Sequence, residues 1–164
     1  MADSQPSYRT LAPGQRCQVW VSDLAGNTRL VYETSDVLFE APNWAPDGHL
    51  VLNAKGLLWE LPADGGEPRQ IPAEDLPPVN NDHVLSPDGR TIYASANDRQ
   101  IYAVPRDGGK AAQVSLDDGR MHFLHGISPD GTVLSYVALE PQGDDGGPAR
   151  TSGCSRQTAR GTSR

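Results

Sequence analysis

Short runs of alternating apolar and polar residues, each followed by a turn sequence, cover most of this chain. The most regular stretch is residues 80–115, where four such runs follow one another. β-branched and aromatic residues fill these runs, as is typical of a pleated, half-buried surface. After the first run stands Ser-Pro-Asp-Gly at 86–89, in which proline presets φ and Asp-Gly supplies the positive-φ residue of a tight turn. The pattern predicts four strands, at residues 83–85, 91–95, 100–104 and 112–115.

The same unit recurs with a period of about 40 residues. Its turn proline stands at Pro46, Pro87 and Pro129, which are 41 and 42 residues apart. Such a period with four strands per repeat is typical of β-propeller blades, which must stack because no four-stranded blade buries both faces alone. We therefore predict an all-β fold, a partial β-propeller of about three blades. The blade units are predicted at residues 17–34, 39–72, 80–115 and 122–140.

The repeat pattern is missing from both ends of the chain. Residues 1–16 are predicted to be a polar segment that precedes the propeller at 17–140. Residues 143–164 contain no Val, Ile, Leu, Phe, Tyr or Trp, so the tail at 141–164 is predicted to be disordered. Because the repeat stops within a blade, a truncated or frameshifted product of a longer gene is preferred over a natural tail. The open blade faces of such an arc predict self-association.

Charge and cysteine content bear on partners and location. The formal net charge of −7 disfavours phosphate backbones and anionic lipid, so no nucleic-acid partner is expected. Cys17 and Cys154 show no metal-binding spacing, and two lone thiols suit a reducing compartment. There is no secretory signal and no run of roughly 18 apolar residues, so a membrane span is not predicted and a cytoplasmic location is expected.

The repeat resembles that of the TolB-like, WD-like β-propeller family. The resemblance rests on Ala-Pro-Asp-Gly at 45–48 and Ser-Pro-Asp-Gly at 86–89 and 128–131, the first two followed by Leu-Trp-Glu-Leu or Ile-Tyr-Ala-Val and then Asp-Gly-Gly. It implies a ring, commonly of six blades, of which this chain holds part. It also implies a non-catalytic binding or scaffold protein with a partner at the channel mouth or blade tops. In the TolB case that partner belongs to the Tol–Pal biopolymer transport system, which makes the periplasm the alternative location.

Polar residues in each predicted innermost strand form the candidate site. His83 and His125 stand four residues before their turn prolines, while Asn80 and His122 stand seven before theirs. Equivalent positions in successive blades point the same way around the axis, so His83 and His125 are expected to converge at one channel mouth. The predicted binding residues are Asn43, Asn80, Asn81, Asp82, His83, His122 and His125.

Imidazole and carboxylate groups at a channel mouth suit a metal ion or a sugar acid. The chain is also similar to oligogalacturonate lyase, a propeller of like repeats whose channel histidines hold manganese. That resemblance implies a metal-dependent lyase or hydrolase, in which His83 and His125 would bind manganese with ligands from further blades. The other interpretation is that these side chains bond water and neighbouring backbone. Non-catalytic binding of a protein partner or a small carbohydrate-like ligand is preferred, no catalytic residue is assigned, and the enzyme question stays open.

Two other recurring features have structural interpretations. Aspartates in the turns bond their own following backbone, and we expect that role rather than acid–base chemistry. These residues are Asp47, Asp88 and Asp130. Aromatic residues in the third strand of each unit are expected to pack between blades rather than to stack on ligands. These residues are Trp20, Trp59 and Tyr102.

Overall fold

The structure is a computed structural model that describes residues 8–140 and the backbone of residues 157–158. All of its regular elements are β-strands. They are β1 (Cys17–Ser22), β2 (Thr28–Thr34), β3 (Glu40–Trp44), β4 (His49–Ala54), β5 (Leu57–Pro62), β6 (Arg69–Gln70), β7 (Ala73–Glu74), β8 (Val79–Leu85), β9 (Thr91–Ala96), β10 (Ile101–Pro105), β11 (Gly109–Lys110), β12 (Ala112–Gln113), β13 (Met121–Ile127), β14 (Val133–Leu139) and β15 (Gln157–Thr158).

Apart from the two-stranded parallel sheet of β7 and β11, the strands form two complete blades and two smaller sheets. The first blade has the order β3-β4-β5-β6, and the second has the order β8-β9-β10-β12. The leading hairpin consists of β1 and β2, and the closing sheet of β13, β14 and β15. Neighbours within each of these sheets are antiparallel. The predicted all-β, partial-propeller architecture is therefore confirmed.

The Pro-Asp-Gly turns form for local reasons. In the second blade the Ser86 hydroxyl donates to Asp88 Oδ1 at 2.6 Å, and the Arg90 amide donates to the same oxygen at 3.1 Å. The hydrogen bond from the Ser86 hydroxyl is the main reason that the pKa of Asp88 lies below its ordinary value. Gly89 completes the turn at a φ of 70°, where a side chain would be strained. The turn carboxylate thus caps its own loop, as the sequence predicted.

The hydrophobic core lies between blades rather than within them. One cluster joins Cys17 and Val19 of the leading hairpin to Leu50 and Leu52 of the first blade. A second cluster joins the other face of the first blade, through Val51, to the second blade. Trp59 packs against the first cluster and Tyr102 against the second, as predicted. The same prediction is wrong for Trp20, which is 50% exposed and belongs to neither cluster. Each blade is therefore stabilised by its neighbours.

The Pro-Asp-Gly turns also stack from blade to blade. A Cβ added to Gly89 would lie 2.7 Å from Cδ of Pro46, the turn proline of the first blade. A Cβ on Gly131 would lie 3.1 Å from Cδ of Pro87. The repeated proline and glycine therefore meet across successive blades at one end of the arc. We call this end the turn face, and the opposite end, with the connecting segments 35–39, 71–78 and 114–120, the link face.

One pairing was not predicted from the sequence. The connecting segment after the first blade forms β7, which pairs in parallel with β11 from the hairpin of the second blade. The Pro72 carbonyl accepts a hydrogen bond from Gly109 at 2.8 Å, and Lys110 lies 3.1 Å from the Asp75 carboxylate. These contacts join two segments that are more than 30 residues apart, so no local sequence pattern predicts them.

The predictions for both ends of the chain fall mostly outside the described residues. The predicted disorder at 141–164 can be compared with the structure only at 157–158, where β15 pairs with β14 through Val133 and Leu134. Within the described residues, no helix has the length and hydropathy required to cross a membrane.

Candidate functional site

His83 lies between the first and second blades. Its side chain is buried, and Nε2 is 3.3 Å from the Val51 carbonyl oxygen of the first blade. Its own carbonyl accepts a hydrogen bond from Asn43 Nδ2 at 3.0 Å. Burial lowers the pKa of His83, because a charge is costly in an apolar environment, while the Val51 carbonyl and Asp82 act in the opposite direction. The ring is therefore neutral and joins two blades.

The polar residues at the start of β8 make mostly local contacts. The Asp82 amide donates to Asn80 Oδ1 at 2.7 Å, and Asn80 Nδ2 donates to Asp82 Oδ2 at 3.3 Å. Asn81 is exposed between them. The register of β8 against β9 shifts between Val79 and His83, so this segment bulges from the regular ladder at the link face. Asn81 is the member of this group that is open to a partner.

His122 is held between the second blade and the closing sheet. Its Nδ1 lies 3.0 Å from the Arg99 carbonyl oxygen of the second blade, and its Nε2 lies 3.4 Å from Asp118 Oδ1. Its ring meets Tyr136 edge to face with 5.2 Å between centroids. The side chain is buried, so both ring nitrogens serve contacts within the protein.

A β-bulge separates His125 from the position that the repeat count assigns to it. Leu124 pairs with Tyr136, and the next paired residue is Gly126, opposite Ser135. Leu124 therefore takes the buried position that His83 holds opposite Ala94 in the second blade. His125 is the extra residue and is exposed.

The expected convergence of His83 and His125 is thus not seen: one ring is buried against Val51 and the other is exposed at a bulge. Counting from the turn proline assumes an unbroken register, which the bulge interrupts. Within residues 8–140, no three side chains of His, Cys, Asp or Glu are arranged to hold a metal ion. Manganese binding by His83 and His125 stays a prediction.

The turn face carries a cavity that sequence reasoning missed. It has a volume of about 580 Å³ and lies between the outer part of the first blade and the turns of the second. Most of its lining residues are charged, and both signs of charge are present. The lining residues are Pro46, Asp47, His49, Glu60, Pro62, Glu67, Arg69, Asp88, Gly89, Arg90, Arg106 and Asp107.

Arg106 forms the wall of this cavity and joins its two blades. Its Nη2 is 2.9 Å from Asp47 Oδ2 and 3.8 Å from Glu60 Oε1, both in the first blade. Arg69 also reaches both oxygens of Glu60, at 3.0 Å each. Partial burial raises the pKa of Asp47, but the hydrogen bonds from Arg106 and the His49 amide outweigh it and the pKa is lowered. Asp47 is therefore ionised and paired at neutral pH.

A difference between the two repeat units at the position of Arg106 could have indicated its role between the blades. Before Asp-Gly-Gly, the first unit has Ala63, whereas the second has Arg106. A cation at a position where the neighbouring repeat has a small apolar residue suggests a contact specific to one pair of blades. The sequence does not show what it contacts, because Asp47 lies 59 residues away along the chain.

Comparisons with known proteins agree with this geometry. No family model matches the chain. An uncharacterized protein of Agrobacterium fabrum is 37% identical over 121 residues, which cover 70% of this chain and 40% of that protein. The structure of a TolB candidate from Agrobacterium tumefaciens is 36% identical, with a TM-score of 0.64, over 70% of this chain and 42% of the other.

Two more distant structures share the fold alone. TolB from Acinetobacter baumannii is 17% identical with a TM-score of 0.63, over 87% of this chain and 35% of the other. A chain of a nidogen–laminin complex is also 17% identical, with a TM-score of 0.53, over 66% of this chain and 43% of the other.

The blades, their stacked turns and the core between them define a β-propeller. More narrowly, the described part of the chain is an arc of a TolB-like β-propeller. The chain spans about two fifths of the length of the Agrobacterium relatives, at 40% and 42%.

Proposed function

We propose that this protein is a non-catalytic, TolB-related binding module that holds a protein partner at the blade tops. The observation that carries the proposal is the cavity of about 580 Å³ on the turn face. It lies between two complete blades, so its walls are set by interactions within the described arc. The turns around it are held by their own capping bonds and by Arg106. A rigid concave surface of this kind suits recognition with little reorganisation.

The lining favours a protein surface over a small apolar ligand. Pockets for small molecules are mostly apolar with a few placed polar groups. Here the exposed groups at the rim include Arg69 and Arg90 as well as Glu67 and Asp107. Such alternating charges complement a partner surface that carries both positive and negative groups. Charge complementarity of this kind increases specificity and the association rate more than it increases affinity. A small carbohydrate-like ligand is the alternative occupant of the same cavity.

The similarity to TolB suggests a particular partner. The proposal is that the chain takes part in the Tol–Pal biopolymer transport system and that Pal, or a protein like it, binds the turn face. This function requires the periplasm, whereas the sequence alone suggested the cytoplasm. Fractionation of the bacterium that produces the chain, with antibody detection, decides between the two compartments.

The binding proposal is tested by calorimetry with purified Pal from the same bacterium. We expect binding tighter than about 100 µM for the native chain, in the range of transient protein complexes. Arg90→Glu reverses one exposed charge at the rim and should weaken binding at least roughly tenfold. Lys55→Glu makes the same charge change in the β4–β5 turn, outside the cavity lining, and should leave binding unchanged.

Absence of Pal binding, or equal weakening by both variants, would contradict the proposal. A soluble oligosaccharide in the same titration separates the carbohydrate alternative from the protein partner. Circular dichroism of each variant confirms that the β-structure is retained.

A further inference from the structure

The junction between the two complete blades and the junction between the second blade and the closing sheet share one backbone hydrogen bond. At the first junction the Val79 amide donates to the Gly56 carbonyl at 2.9 Å, and at the second the His122 amide donates to the Arg99 carbonyl at 3.1 Å. Each donor lies at the start of an innermost strand, β8 or β13. These bonds align His122 with Val79 rather than with Asn80, so equivalent positions hold a titratable and an apolar side chain.

The His122 side chain makes contacts at its junction that Val79 cannot make. Its Nδ1 lies 3.0 Å from the same Arg99 carbonyl oxygen, and its Nε2 lies 3.4 Å from Asp118 Oδ1 in the connecting segment 114–120. Val79 instead packs into the core cluster between the two complete blades. The buried imidazole ring therefore joins the second blade, the closing sheet and the connecting segment.

Both ring nitrogens of His122 face oxygens that can only accept hydrogen bonds. The Arg99 carbonyl is one of them, and the ionised Asp118 carboxylate is the other. Partial burial acts to raise the pKa of Asp118, but the hydrogen bonds from the Arg120 amide and guanidinium outweigh it and the pKa is lowered. A protonated ring has two N–H donors and makes both contacts, whereas a neutral ring has one N–H donor and makes only one.

The contact with Asp118 is the one that a neutral ring loses. The contact with the Arg99 carbonyl is shorter, and the backbone amide of His122 holds the ring beside that oxygen. A neutral ring that keeps its proton on Nδ1 presents the lone pair of Nε2 to the Asp118 carboxylate. Two acceptors at this distance repel each other, so the connecting segment loses its bond to the junction.

The other charged and titratable groups around the imidazole ring already have contacts of their own. Nη2 of Arg120 lies 2.8 Å from Asp118 Oδ2. The Tyr136 ring meets the imidazole edge to face, and the Asp98 carboxylate accepts hydrogen bonds within the second blade. The Arg99 side chain is exposed. Among the described residues, Asp118 is therefore the acidic side chain that forms an ion pair with the ring.

We propose that His122 is a proton-dependent clamp, which holds the connecting segment 114–120 to the second junction when its ring is protonated and releases Asp118 when its ring is neutral. Histidine side chains ordinarily titrate near about pH 6.5, within the range of physiological pH changes. The clamp is complete at low pH and is lost as pH rises. Its direction is opposite to that of His83, whose neutral ring stabilises the first junction at higher pH.

Nitrogen NMR and hydrogen exchange of the full 164-residue chain test the clamp. We expect the His122 ring to carry two protons at about pH 5.5 and one at about pH 8, since these values lie on either side of the ordinary histidine range. Protection of the Arg120 and His122 amides, corrected for intrinsic exchange, should fall at least roughly tenfold over the same interval. The Val79 amide at the first junction is the internal control and should not lose protection as pH rises.

Three variants separate the clamp from other effects of pH. His122→Val gives the second junction the residue type of the first, keeps the backbone bond and should remove the pH dependence. Asp118→Asn supplies an amide that can donate to a neutral ring, so it should also remove the dependence, and it keeps the test available if His122→Val does not fold. His125→Val, at the exposed histidine of the same strand, should retain the dependence.

Circular dichroism of each variant shows whether the β-structure is retained. A His122 ring with a single proton at about pH 5.5 would overturn the proposal, because the two acceptors then cannot both be satisfied. Equal protection of the connecting segment at the two pH values in the native chain, or an unchanged pH dependence in a folded Asp118→Asn variant, would overturn it as well.

Discussion

At the scale of single residues, polar side chains that suggested ligands are used to join blades. Asn43 donates to the His83 carbonyl, and His122 contacts the Arg99 carbonyl across the next junction. The Ser95 hydroxyl oxygen accepts a hydrogen bond from the Leu124 amide, with 2.8 Å between oxygen and nitrogen. Backbone groups of adjoining strands need partners when they are buried, and these side chains supply them.

Arg106 provides a direct test of this joining role. Arg106→Ala leaves Asp47 without its cation and removes one of the two guanidinium groups beside Glu60. Because the Arg106 side chain is largely buried, we expect a loss of about 1–3 kcal/mol in the free energy of unfolding. Urea denaturation of the native chain and the variant measures this loss.

Lys110→Ala is the matched control, since its ion pair with Asp75 is exposed on both sides. It should change stability by less than about 1 kcal/mol. Equal losses for the two variants would show that Arg106 does not join the blades.

His83 predicts a pH dependence of stability. Burial depresses its pKa below the ordinary value of 6.5, so the unfolded chain takes up a proton at a higher pH than the folded chain. The contribution of the neutral ring is fully present above pH 6.5 and is lost as pH falls through the depressed pKa. Between pH 6.5 and about 5, unfolding free energy should fall by at most about 1.4 kcal/mol per pH unit from this group.

Urea midpoints measured across this pH range check the sign of the pH dependence and whether His83 is its source. His83→Gln should flatten the dependence, whereas His125→Gln, at an exposed bulge, should retain it. A slope unchanged in His83→Gln would mean that another group is responsible.

At the scale of elements, the Pro-Asp-Gly turn has two functions. It reverses the chain between the first and second strands of a blade, and it stacks on the turn of the preceding blade. The first function depends on local bonding by aspartate and glycine. The second depends on the absence of a side chain at Gly89, beside Pro46.

Alanine substitutions separate these two functions. Gly48 and Gly89 both have positive φ, at 85° and 70°, but only Gly89 has atoms within 4 Å of an added Cβ. Gly48→Ala should cost about 1–2 kcal/mol from backbone strain. Gly89→Ala should cost about 1–3 kcal/mol more, because Pro46 and its turn must move. Chemical denaturation of both variants gives the difference, and equal costs would exclude a stacking contribution.

At the scale of the whole molecule, protection should be greatest in the second blade. Its strands β9 and β10 contain fully buried residues, which share a core cluster with the first blade, and both strands also contact β13, whereas β14 exposes Val137 and Leu139. Local opening costs least where few apolar contacts are lost. Hydrogen exchange at low protein concentration should therefore be slowest at Ile92 and Val104 and faster along β14. Uniform protection in all sheets would contradict this expectation.

The sequence predicted the fold better than the candidate site. Turn residues and alternating apolar positions act locally, so Ser86 to Gly89 and the strands beside them were correctly placed. The site prediction relied on equal register in successive blades. That assumption failed at His125, where a bulge shifts the strand pairing. It also did not predict that the His83 side chain is buried.

By itself, the sequence determined the strands, the turns and the blade period, because each depends on residues a few positions apart. Only the tertiary structure decided which polar residues are buried between blades, where Arg106 finds its carboxylates and where the turn-face cavity lies. Those features join residues that are 30 to 60 positions apart, as in the 32 residues between Val51 and His83 and the 59 between Asp47 and Arg106. They arise from the packing of one blade on the next, which no single repeat encodes.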